Sequence, residues 1–336
     1  MSGGELELET QIAEDFQLGK PHGPLERAAE GWGGHNQVFR LATTAGVWAV
    51  KRHGRRPYAD RATAFAIEAT AHTAGVPMAP PVVTAAGHGW TEIGGVTFRC
   101  HGWIDGAAKQ NEDTSGAEAE AMGRIVARLH RLRIPAPQPA PSPPVDPERW
   151  AELAGMGGGA PWACRLAETL GSVVTMATQP QPIERGRDEL VGSHRDLNAH
   201  NVMFSATGLR LIDWEAAGPA WPRWERASFA VLWGSRVDGA YDDDRVVAFL
   251  RGYLDGGGVL DADDPSVLSA APAALVPWVM ENLELAVARP SDHQDELAAA
   301  LVDALLAMPD TAATRQAVLA RCLERVTAGG GRRTQP

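Results

Sequence analysis

The sequence predicts an α+β fold in two lobes, a small β-rich one over residues 1–105 and a larger helical one over 106–336. Three observations lead there. Strand-like patterns crowd into the first hundred residues, and 3.6-residue periodicity takes over after Trp103. The two do not alternate as they would around a parallel sheet. At 336 residues and 44% hydrophobic content, the chain is long enough to bury a core in each lobe.

Residues 1–30 read as an acidic leader with room for a helix. From Gly31 the pattern is that of a hairpin. Gly31, Gly33 and Gly34 precede Val38-Phe39-Arg40-Leu41, and Ala45-Gly46 turns the chain into Val47-Trp48-Ala49-Val50-Lys51. Strand side chains alternate, so Val47, Ala49 and Lys51 share one face. A helix over 60–73 is stopped by Gly75 and Pro77, and apolar runs around Val82 and over 96–98 complete a small sheet. After Trp103-Ile104-Asp105-Gly106, Met122, Ile125, Val126 and Leu129 repeat at helical spacing behind a start marked by Thr114 or Ser115. Seven prolines from Pro135 to Pro147 make an extended connector, and 155–159 is a second break. Beyond Ala240, helices are expected near 243–255, 267–289, 292–307 and 312–328, and no internal repeat is present.

Composition narrows the function. Thirty-one basic against 42 acidic residues give a net charge of −11, the wrong sign for a nucleic-acid binder and mildly favourable to a cationic partner. The acidic start, Met1 to Glu9, is unlike a signal peptide, and no uninterrupted apolar run reaches the roughly 18 residues of a membrane span. Cys100, Cys164 and Cys322 are scattered without metal-ligand spacing. A cytoplasmic protein with neither nucleic-acid nor membrane partner is expected. Only Lys20, Lys51 and Lys109 among the 31 basic residues are lysines, so a lysine at a structured position asks for a chemical reason.

The sharpest signal is Ser193-His194-Arg195-Asp196-Leu197-Asn198-Ala199-His200-Asn201, followed by the strand Val202-Met203-Phe204, a turn at Gly208, and Leu211-Ile212-Asp213-Trp214-Glu215. The first stretch fits the kinase catalytic-loop pattern H-R-D-L-x-x-x-N. Phosphoryl transfer asks a protein mainly for positioning and charge neutralisation. In that chemistry Asp196 accepts or orients the proton of the attacking hydroxyl. Asn201, five residues on, and Asp213, at the end of the next strand, hold Mg2+ between the phosphates, a hard ion suited to oxygen ligands. His194 pins the loop.

With these residues the chain resembles the aminoglycoside phosphotransferase and choline kinase group of protein-kinase-like enzymes, from about Gly31 to Glu225. Ile212-Asp213-Trp214-Glu215 stands where protein kinases have Asp-Phe-Gly, and Leu129-His130 closes a leucine-rich helix. Two departures are Arg195, where the group usually has glycine or another small residue, and Glu225, where Asp-Leu-Ala is common. The resemblance implies a bilobal fold and ATP or GTP as co-substrate. It also implies that Ala49 floors the adenine pocket, Lys51 binds phosphate oxygens and Glu68 pairs with Lys51. Gly33 and Gly34, with Asn36, lie where the group carries its phosphate-covering loop, and Gly102 and Ile104 offer hinge backbone groups to the adenine edge.

The acceptor is less defined. A small-molecule hydroxyl substrate, cationic if the acidic balance is a guide, would meet Glu215, Asp238, Glu281 and Glu284, the last two sharing a helix face. An aminoglycoside or basic peptide antibiotic is the first reading, and an uncharged antibiotic, amino alcohol or sugar the alternative. A protein kinase lacks support because no Ala-Pro-Glu element follows Asp213. A nucleotide-binding pseudokinase has none because every expected catalytic position is filled.

Overall fold

Alternation of apolar and polar residues between glycine-rich turns builds five antiparallel strands in the first third of the chain. The computed structural model describes residues 5–30, 36–54, 60–138, 146–186, 189–261 and 264–330. In chain order the first elements are α1 (Glu5–Asp15), β1 (Glu26–Glu30), β2 (Asn36–Thr43), β3 (Gly46–His53), α2 (Arg61–Thr73), β4 (Thr91–Ile93) and β5 (Val96–Gly102). The strand order is β1-β2-β3-β5-β4. One face of the sheet, with Leu41, Val50, Phe98 and Cys100, closes on Ile12, Phe16 and Leu18 of the α1 segment as a separate core. On α2, Ala64, Ile67 and Ala71 belong instead to the main core of the helical region.

Two differences from the sequence reading stand out. The acidic leader supplies a helix and also the edge strand β1, whose charged residues suit a one-sided position. The run around Val82 is no strand, because Pro80 and Pro81 cannot donate to a ladder. It makes an isolated bridge from Pro81 to His101, where the Val82 N–H donates to the Cys100 carbonyl at 2.9 Å and the Pro80 carbonyl accepts the Gly102 N–H at 2.8 Å.

The remaining elements are α3 (Gly116–Arg131), α4 (Pro147–Met156), α5 (Pro161–Ala177), α6 (Pro182–Arg185), β6 (Val191–Ser193), β7 (Val202–Ser205) and β8 (Gly208–Leu211). After them come β9 (Gly218–Ala220), α7 (Pro222–Trp233), α8 (Asp243–Asp255), α9 (Asp264–Val267), α10 (Ala271–Ala288) and α11 (Asp292–Gly330). Ser115 starts α3 as a capping box with Glu118, which satisfies two of the helix's free N–H groups. α3 and α8 cross backbone to backbone. A Cβ at Gly123 would collide with the Phe249 carbonyl, and one at Gly252 with the Glu120 carbonyl, so both positions admit only glycine.

Two helical cores result. The main one gathers α3, α7, α8 and the end of α11. The second gathers α4, α5, α10 and the first part of α11 around Trp150, Trp162 and Leu283. The two helices expected over 292–328 are one, because α11 runs through Pro309 and feeds both cores, with Val302 and Leu305 in one and Leu319 and Leu323 in the other. Among the described residues it is also the one helix long and apolar enough to cross a membrane by length and composition. The proline-rich connector falls largely outside the described residues.

Candidate active site

The end of β3, the loop from β6 to β7 and the turn after β8 meet where the sheet faces the helical region. In β3, Val50 turns into the N-terminal core, so Ala49 and Lys51 look the other way, as alternation requires. The Lys51 ammonium lies 2.8 Å from Asp213 Oδ1 and is also ion-paired to Glu215 Oε1. Burial alone would lower the lysine's pKa, but the two carboxylates more than offset it and raise it. Burial likewise works against ionised Asp213, yet Lys51 holds its carboxyl down at about 2. Glu215 goes the other way. Burial, and repulsion from Asp213, outweigh the pull of Lys51 and raise it.

Glu215 is also fixed from the sheet. Asn36 Nδ2 donates to its Oε2 at 3.1 Å, and His53 Nδ1 stands 3.5 Å from its Oε1. Burial, with Lys51 nearby, lowers the His53 pKa to about 3, so this imidazole is neutral at physiological pH. The turn carrying Asp213 has left-handed backbone, φ +64°, a conformation that aspartate tolerates better than most residues.

The loop holding Asp196 is tied to that turn. His194, fully buried against Trp214 with ring centroids 4.6 Å apart, donates from Nε2 to the Ile212 carbonyl at 2.8 Å. With that nitrogen protonated, its Nδ1 accepts the Asp196 N–H at 3.3 Å. Asn201 Nδ2 donates to the Asp196 carbonyl at 3.0 Å, and the Asn201 carbonyl accepts the Ile212 N–H at 3.0 Å. The pattern spread over twenty residues thus becomes one bonded unit. Arg195 takes φ +69°, which accounts for the small residue usual there in the resembling group. Its guanidinium lies beside Gly218.

The donor set suits a hard divalent cation. Asp213 and Glu215 present carboxylate oxygens, and Asn201 Oδ1 accepts no hydrogen bond among the described residues. Two carboxylates around one ammonium favour a further positive charge, which a divalent cation could supply with few protein ligands.

Several expected placements differ. Glu68 is not the partner of Lys51. It is fully buried, bonded to the Arg99 guanidinium, and its Oε1 lies 2.8 Å from His101 Nε2. Arg99 sits directly opposite Lys51 in the β3–β5 register and reaches Glu68 first, leaving Lys51 to the carboxylates across the cleft. Burial opposes ionised Glu68, but Arg99 and His101 hold its pKa at about 2. At the hinge, the Gly102 N–H is already given to the Pro80 carbonyl at 2.8 Å. The Ile104 backbone makes no hydrogen bond among the described residues. Gly33 and Gly34 lie outside the described residues.

Of the acidic residues assigned to an acceptor, Glu215 belongs to the Lys51 cluster. Asp238 bonds Arg236 at 3.2 Å on the rim of a cavity of about 560 Å³ that Glu112, Ser115 and Arg245 also line. Glu284 accepts from Arg149 of α4 at 2.9 Å, and Glu281 lies one turn before it on α10. Residues that the sequence reading passed over include His53, Arg99, His101 and Asn198, whose amide donates to Asp196 Oδ1. Arg99 and His101 left a trace. In β5 the polar Thr97, Arg99 and His101 alternate with the apolar Phe98 and Cys100.

No curated protein matches the chain by sequence. Among solved structures, spectinomycin phosphotransferase bound to ADP and spectinomycin superposes with a TM-score of 0.64 at 13% identity, over 92% of this chain and 98% of that one. Amicoumacin kinase bound to AMP-PNP and Ca2+ gives 0.59 at 15%, over 91% and 96%. Choline kinase from Streptococcus pneumoniae gives 0.57 at 16%, over 91% and 99%. These likenesses establish the two-lobed protein-kinase-like fold. Residues 27–260 match the APH phosphotransferase family, and with well over half of its length covered the chain belongs to that phosphotransferase enzyme family.

Proposed function

We propose that this phosphotransferase moves the γ-phosphoryl group of ATP or GTP, bound with Mg2+, to a hydroxyl of a small antibiotic-like molecule. The observation that carries the reading is the bonded unit of Asp196, Asn201 and Asp213, locked by His194 and facing Lys51. In this reading Lys51 holds phosphate oxygens, and Asp213 with Asn201 holds the metal, which supplies charge neutralisation at the phosphates. Asp196 orients the acceptor hydroxyl and takes its proton, and Asn198 steadies its carboxylate. Ala49 floors the nucleotide base, and Ile104 offers it free backbone groups. The three free cysteines fit a reducing, cytoplasmic setting.

An amino alcohol or a sugar is the second reading of the acceptor. It is favoured by the pairing of Asp238 and Glu284 with arginines, which leaves less free negative charge than a polycation would use. A phosphorylation screen over aminoglycosides, basic peptide antibiotics, amino alcohols and sugars separates the two. Asp196→Ala should leave the nucleotide Michaelis constant nearly unchanged and cut turnover by about 10²–10⁴-fold. Near-parental turnover in that variant would sink the assignment of Asp196.

A further inference from the structure

The Asp196 carboxylate does not stand alone. Asn198 Nδ2 donates to its Oδ1, and what fixes the direction of the Asn198 amide lies outside the catalytic loop. Asn111 is half-buried in the segment between the hinge and α3, 87 residues away in sequence. Its Oδ1 accepts the Ala199 N–H at 2.9 Å, and its Nδ2 faces Asn198 Oδ1 at 3.5 Å.

An asparagine amide can be turned end for end, but a backbone N–H can only donate. The Ala199 N–H therefore requires the oxygen of Asn111 on its side, which puts the Asn111 nitrogen toward Asn198. Asn198 must answer with its own oxygen, and its nitrogen is left for Asp196. Reversing either amide would set two oxygens, or two N–H groups, against each other. The anchor is itself held. Arg245, buried at 6% exposure, donates to the Asn111 carbonyl at 2.8 Å and also to the Ser235 carbonyl and to Thr114.

We propose that Asn111 is a positioning residue. Through the Asn198 amide it fixes which end of that amide meets Asp196, and so holds the carboxylate in its working orientation. The inference rests on Asp196 acting on the acceptor hydroxyl. No motif of the catalytic loop contains Asn111, and it touches neither Lys51 nor Asp213.

Asn111→Asp is the discriminating variant. It is isosteric and keeps an oxygen for the Ala199 N–H, so the loop stays attached. It turns a second carboxylate on Asn198, so either orientation of that amide sets its oxygen against a carboxylate, and its one NH2 group is contested between residue 111 and Asp196. Nucleotide hydrolysis, with water as acceptor, is followed as ADP release with the full-length chain, alongside thermal melting. Turnover of Asn111→Asp should fall on the order of tenfold, below the roughly 10²-fold that a 1 Å misplacement can bring. The nucleotide Michaelis constant and the melting temperature should stay near the parent's. In an Asn198→Ala background the same change should have no further effect on turnover, since the relay is already cut.

Parental turnover in Asn111→Asp, or an undiminished loss in the Asn198→Ala background, would overturn the relay and leave Asn111 as a loop anchor. Asp196→Asn run in parallel keeps the two ideas apart. If it too retains full turnover, the base assignment fails; if it is dead while Asn111→Asp is normal, only the relay does.

Discussion

Replacing Glu68 with Gln tests the arrangement in which this chain parts from the pairing expected of its resemblance. Glu68 is fully buried and joins α2 to β5 through Arg99 and His101. A buried carboxyl titrates ordinarily near 4.5 or above, and here it is held to about 2. At about 1.4 kcal/mol for each pH unit of difference, the ionised group contributes about 3 kcal/mol to folding. Removing one member of a buried pair also strands its partner, and typical losses of 3–5 kcal/mol agree with that figure. Over a chain of this length the melting temperature should fall by about 4 °C if the lobes unfold together.

The sign of the pH dependence follows from the direction of the shift. The folded value lies below the unfolded one, so the stabilisation is full above about pH 4.5 and is lost as pH falls through about 2. Urea unfolding followed by tryptophan fluorescence suits the measurement, because Trp48, Trp90 and Trp103 lie in the N-terminal lobe. The gap between parent and Glu68→Gln should be about 3 kcal/mol at pH 7 and less than half of that at pH 3. The nucleotide Michaelis constant should move by no more than about twofold, because Lys51 keeps its partners Asp213 and Glu215. Unchanged stability at pH 7 together with a large rise in that constant would refute the reasoning and return Glu68 to Lys51.

Lys51→Arg preserves the charge but should lower turnover on the order of 10²-fold, since a planar guanidinium cannot sit as a compact ammonium does between Asp213 and Glu215. Steady-state kinetics at saturating nucleotide decide it, and parental turnover would mean that any cation serves. Asp213→Ala should make nucleotide affinity indifferent to added Mg2+, whereas Asp196→Ala should keep that dependence. Titrating fluorescent nucleotide with and without the metal separates them, and an identical response from both variants would remove Asp213 from the metal site.

Much of this architecture is legible in the sequence. The hairpin of β2 and β3 was written in its glycines and its alternation, and α3 in its apolar spacing and its capping serine. The bonded unit around Asp196 was legible because its parts are close in sequence. What escaped were choices between partners. The resemblance implies Glu68 as the partner of Lys51, and only the register that sets Arg99 opposite Lys51 shows why Glu68 is already taken. The strand at β1 hid in a charged leader because an edge needs little apolar surface. Helix α11 kept going through Pro309 because its two halves are each packed, one in either core, and that packing outweighs the missing N–H.

Charge ties the cleft to its chemistry. Among the described residues Lys51 is the one cation bonded to Asp213 and Glu215, and those two carboxylates compete for it. One is driven well below its ordinary range and the other above it. Such an arrangement is unsettled without a further positive charge, and a nucleotide's phosphates would add to the negative excess. On the function proposed above, the corner would accept a triphosphate best together with a divalent ion, which would neutralise the carboxylates and leave Lys51 for the phosphates. Farther out, Asp238 and Glu284 are already matched to Arg236 and Arg149. A cationic acceptor would have to displace those exposed arginines, at a gain of no more than about 1 kcal/mol for each exposed pair it re-forms. On that reading charge alone would discriminate weakly among acceptors, and selection would fall to shape and to the hydroxyl that reaches Asp196.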